Sequence, residues 1–143
     1  MTVFGLDRLT SAYWLLGLSQ AAHSIEEMRM RLYDFFWLAT GRLHEIFPTI
    51  TQLRMRADTF AVLNMTFIAV LLATVPAVRA RKPLALVLAG LAGTIEVMNG
   101  LGHTAGAIWF RGYVPGVATA PFLFVTGILV LRELARTRGE AAA

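Results

Sequence analysis

From Thr59 to Val78 the chain runs for 20 residues without a charged side chain, and from Pro83 to Phe110 it runs for 28 with Glu96 as the single charged group. A helix of that length and composition crosses the roughly 30 Å of hydrocarbon in a bilayer. Two such runs in 143 residues leave little room for anything but a helical membrane bundle. Composition points the same way. Hydrophobic residues make up 57% and charged residues 15%, where soluble domains carry about 45–50% and about 25%. A soluble enzyme and a disordered segment are both excluded on this basis. The absence of cysteine removes disulfides and thiol catalysis. The net charge of +4 comes from basic residues beside the apolar runs rather than from a basic stripe, so no nucleic-acid partner is expected.

Two weaker runs complete the pattern. The first, residues 9–28, is interrupted in its second half by Gln20, His23, Glu26 and Glu27; the last, residues 115–131, ends before Arg132. The sequence therefore predicts an all-α fold over residues 1–143: one integral membrane bundle of four transmembrane helices, with spans near 9–28, 59–78, 83–110 and 115–131. Pro83 suits the first turn of the third span. Between the first two spans, LYDFFWLATGRLHEIF mixes aromatics with charges, which predicts an amphipathic segment at the membrane interface. His44 and Glu45 read there as interfacial polar residues. Basic residues divide seven against six between the two sides, a lean toward cytoplasmic termini in the cell (inner) membrane.

The polar residues inside the spans share a level. His23 lies 14 residues past Leu9 and Glu96 lies 13 past Pro83, each about 20 Å along its helix. At about 100° per residue, Glu26 and Glu27 flank the direction of His23 on either side, and Glu96, Asn99 and His103 share an arc of about 60°. Asn64 and Thr119 enter from the same side, with Arg111 and Tyr113 in the connection above. An ionised carboxylate in hydrocarbon costs at least about 2.5–3.5 kcal/mol. A divalent metal would offset that charge, and inward glutamates with histidines on facing helices are the ligand set of metal-binding bundles. Glu26 and Glu27 could instead end the span by pairing with Arg29 and Arg31. Glu96 has no basic residue within a turn. Small residues at Ala89, Gly93, Gly102 and Gly106 suit close helix packing, and Gly100 and Gly102 would leave room for a ligand beside His103.

His23-Ser24-Ile25-Glu26-Glu27 reproduces an H-x-x-E-E pentad, Asn99 and His103 an N-x-x-x-H element, and Tyr113-Val114-Pro115-Gly116 with Thr119 a Y-x-P-G-x-x-T segment. In order and spacing these resemble the HXXEE family, from the first span to the fourth. The resemblance implies a small multi-span membrane protein with metal-dependent activity, and His23, Glu26, Glu27, Asn99 and His103 as its functional residues. Glu96 comes from the depth argument alone.

The expected function is a membrane-embedded metalloenzyme, hydrolytic or oxidative, acting on a lipid or other apolar small molecule. His23, Glu26, Glu27, Glu96 and His103 are the candidate ligands of a mononuclear or dinuclear zinc or iron centre. Glu26, Asn99 and Tyr113 are the catalytic candidates, Glu26 as general base or bridging ligand and Asn99 as an oxyanion donor. A metal-free acid–base isomerase or cyclase is the second reading. An ion- or proton-coupled transport protein is the third, and with so few spans it would need a homodimer.

Overall fold

The computed structural model describes residues 6–142, and over them the chain is entirely helical between its turns. Five helices follow one another: α1 (Arg8–Arg29), α2 (Leu32–Ile46), α3 (Ala57–Arg79), α4 (Pro83–Phe110) and α5 (Ala120–Ala142). Of these, α3 and α4 are long and apolar enough to cross a membrane.

Helix α1 organises the bundle. Its buried positions include Leu9, Ala12, Tyr13 and Leu16, then Gln20, His23, Ser24 and Glu27. Steps of three and four keep all of these on one stripe. That stripe changes character half-way: its first half is apolar and its second half polar. The apolar half joins Leu71 and Val78 of α3, Ala85, Ala89 and Ala92 of α4, and Val130 and Leu134 of α5 in one core. Tyr13 Oη and Thr74 Oγ1, 2.8 Å apart, tie α1 to α3 within it. The polar half faces the other end of the bundle, where the site lies.

Helix α4 packs most extensively on α5. Missing side chains bring these two backbones together: a β-carbon on Gly127 would stand 2.7 Å from the Gly93 carbonyl oxygen. Gly100 meets Ala120 in the same way, at 2.8 Å. Gly102, which the sequence groups with the packing residues, has nothing within 4 Å of such a carbon. It opens into a cavity instead.

At the end away from the site, Asp7 caps α1 by accepting from Thr10 N at 3.2 Å and Thr10 Oγ1 at 2.6 Å. Its carboxylate also receives Arg81 Nη2 at 2.7 Å, which joins the start of α1 to the α3–α4 turn.

Two boundaries differ from the sequence reading. Residues 32–46 of the expected interfacial segment form α2, a full helix entered through Arg31 in the left-handed conformation (φ 59°). The last helix begins at Ala120 rather than Pro115, because residues 115–119 form turns and Gly116 has φ +96°. It then continues past Leu131 to Ala142.

Candidate metal centre

His23 and Glu27 sit one helical turn apart on the polar half of the α1 stripe, and His103 reaches them from α4. Glu27 Oε1 lies 3.1 Å from His23 Nε2 and 3.2 Å from His103 Nε2. The two imidazoles meet edge to face with centroids 4.7 Å apart. All three side chains are buried, His23 completely.

The segment between α4 and α5 fixes this pair from above. Glu26, on the neighbouring face of α1, accepts from Gly116 N at 3.2 Å, Ala118 N at 3.1 Å and Thr119 N at 2.9 Å. The Tyr113 hydroxyl also donates to it. Thr119 Oγ1 donates to Glu26 Oε2 at 2.6 Å and stands 2.8 Å from His23 Nδ1. A hydroxyl has one proton to give. Since Thr119 gives it to the Glu26 carboxylate, its oxygen accepts from His23, so Nδ1 of His23 carries the hydrogen.

That proton count decides what faces Glu27. A neutral His23 protonated on Nδ1 has a lone pair on Nε2. A carboxylate oxygen stands 3.1 Å from it, off the line a hydrogen bond would need, and among the described residues Nε2 makes no hydrogen bond. Two lone pairs so placed repel unless a cation or a proton lies between them. Two ligands each about 2.1 Å from one ion, at an angle near 100°, would stand about 3.2 Å apart. The separations around Glu27 Oε1 fit that arrangement.

Gly116 makes the pocket for the two rings. A β-carbon there would stand 2.6 Å from His103 Cε1 and 2.7 Å from His23 Cε1, and the positive φ also disfavours any other residue.

Below the histidines, Glu96 is fully buried. With its amide turned toward the carboxylate, Gln20 Nε2 donates to both Glu96 oxygens at 3.0 and 3.1 Å. Asn99 Nδ2 adds a longer contact at 3.4 Å. Ser24 Oγ, beside the Gln20 oxygen, donates to Asn64 Oδ1 at 2.6 Å. The ligand and catalytic candidates of the sequence reading thus fall into three places. His23, Glu27 and His103 converge; Glu26 of α1 binds the α4–α5 segment that carries Tyr113; Glu96 receives Gln20 and Asn99. The sequence signal for Gln20 and Ser24 was their place in the i, i+3, i+4, i+7 series Gln20, His23, Ser24, Glu27.

A family description, protein of unknown function with HXXEE motif, matches residues 14–131. The chain belongs to the HXXEE family. The pentad that gives this family its name therefore has two carboxylates with separate surroundings here: Glu27 faces the histidines and Glu26 holds the segment above them. No curated protein and no solved structure matches the chain.

Glu27 and His103 also line a cavity of about 580 Å³ between α1, α2, α3 and α4. Its polar lining is Gln20, Glu27, Asn64, Asn99 and His103. From α2, Leu32, Phe35, Phe36 and Ala39 supply one wall at helical spacing. Phe35 packs on Phe110 of α4 with centroids 4.9 Å apart, and Phe36 stands 6.1 Å from Phe60 of α3.

Proposed function

We propose that this chain is a membrane-embedded, metal-dependent enzyme acting on a lipid or other apolar molecule, with His23, Glu27 and His103 holding one divalent zinc or iron ion. The observation that carries this reading is the convergence of His23 Nε2 and His103 Nε2 on Glu27 Oε1, at 3.1 and 3.2 Å. Two histidines and one carboxylate are the ligands of both hydrolytic zinc sites and non-haem iron oxygenase sites, each of which keeps positions open. Such an ion would supply Lewis acidity toward a carbonyl or a water.

The protein's own groups do the rest. Thr119 and Glu26 fix the orientation of His23, as outer partners of metal-ligating histidines do. Asn99 lines the cavity beside His103 and can donate to a substrate oxygen. Phenylalanines from α2, α3 and α4 line the rest of the cavity. Glu26 and Tyr113, bonded to each other outside the cavity lining, position the site rather than touch the substrate.

The membrane reading takes α1, α3, α4 and α5 as four spans and α2 as an interfacial helix. Large apolar side chains on outward faces support it, among them Val62, Val87 and Leu91, and Phe122, Val125 and Ile128 on α5. The same lone-pair geometry with a proton in place of the ion is the metal-free acid–base reading. Elemental analysis of detergent-purified protein separates the two. Wild type should carry about one zinc or iron per chain, and His23→Ala with His103→Ala should carry none. Metal-free wild type, prepared without chelators, would leave acid–base chemistry.

A further inference from the structure

We propose that the cavity beside the histidines takes an uncharged, single-tailed lipid whose hydroxyl or carbonyl head lies against Asn99 and His103. This rests on the enzyme reading above and specifies its substrate class. The first argument is charge. Among the described residues no lysine or arginine lines the cavity, while a carboxylate, Glu27, does and the buried Glu96 lies just behind Gln20 and Asn99. The two charges of the proposed ion are matched by Glu27 and the buried Glu96, so a phosphate or phosphodiester head would bring unbalanced negative charge into this place, with no lining guanidinium or ammonium to receive it. Arg42 sits over the Phe110 ring and lines a smaller neighbouring cavity, which shares Ala39, Gly106 and Phe110 with the main one.

The second argument is polarity at one end. Gln20 and Asn99 donate to Glu96 between α1 and α4, and Ser24 donates to Asn64 of α3 beside them. Asn64 and Asn99 also line the cavity, so they present amides to a head that can donate or accept a neutral hydrogen bond. The remaining walls are aliphatic and aromatic. A cavity of about 580 Å³ suits one drug-sized apolar chain.

Gly102 supplies the means to test this. It lines the cavity, and a side chain there starts in open space, so Gly102→Leu fills the cavity without displacing packed atoms. Ala39→Phe adds bulk to the same cavity from α2. The experiment measures binding of tritiated hexadecanol, palmitic acid and hexadecyl phosphate to the detergent-purified protein by scintillation proximity. Hexadecanol should bind about tenfold or more tightly than either anion. Both variants should weaken hexadecanol by about tenfold or more while metal content stays at the wild-type level. An anion that binds as tightly as hexadecanol overturns the proposal, as does hexadecanol binding that neither variant weakens. Metal-free wild type that still prefers hexadecanol supports this assignment and removes only the metal from the account.

Discussion

Gly116 lies directly against His103: a β-carbon at Gly116 would stand 2.6 Å from His103 Cε1. The turn that carries Gly116 is also the one that gives three backbone N–H groups to Glu26. Closing the bundle and setting the histidine pair are therefore done by one segment.

Gly116→Ala should destabilise the protein by about 2–4 kcal/mol, combining strain at positive φ with overpacking against two buried rings. Thermal unfolding in detergent measures it. An alanine variant that melts with wild type would mean that the turn does not press on the histidines.

The two carboxylates of the pentad should behave differently. Glu26→Gln puts an amide nitrogen among hydrogen-bond donors and should cost about 1–3 kcal/mol of stability. It loosens the Thr119–His23 contact, so zinc affinity should fall by about 10–100-fold without loss of one-to-one binding. Glu27→Gln should abolish stoichiometric binding, which zinc titration by calorimetry will show. The reverse order would make Glu26 the ligand.

Asp7 offers a pH test away from the site. Partial burial pulls its carboxyl up, but the Thr10 hydroxyl and N–H and the nearby Arg81 outweigh this and hold it below its ordinary value of 3.8. A lowered folded-state value means that ionised Asp7 stabilises fully above that ordinary value and loses its contribution as pH falls through the lowered one. The pair is partly exposed, so the effect should stay below about 1 kcal/mol. Asp7→Asn keeps the helix cap without the charge. Wild type should therefore lose more thermal stability than Asp7→Asn as pH drops below about 4. Parallel melting curves would mean that the charge contributes nothing.

The features legible in the sequence are those set by local chemistry. The apolar run from Pro83 to Phe110 is α4 to the residue. Pro115 also reads as a helix start, yet the chain turns for five more residues because Gly116 must pass over the histidines. Spacing likewise places Glu26 and Glu27 on either side of His23 but cannot say which one turns inward. That depends on the rotation of α1 against its neighbours, and the donors that hold Glu26 come from residues some 90 positions away. Depth counting paired Glu96 with His23, whereas Glu96 meets Gln20, one turn earlier on α1. Equal distances along two helices do not fix how those helices are offset.

The convergence of His23, Glu27 and His103 on one ion is tested most directly by X-ray absorption at the edge of the metal that copurifies with the protein. About one zinc or iron per chain is expected, with two imidazole nitrogens at about 2.0–2.1 Å and oxygen completing the shell. A stoichiometric metal whose shell contains no imidazole, or purified protein without metal, would contradict it.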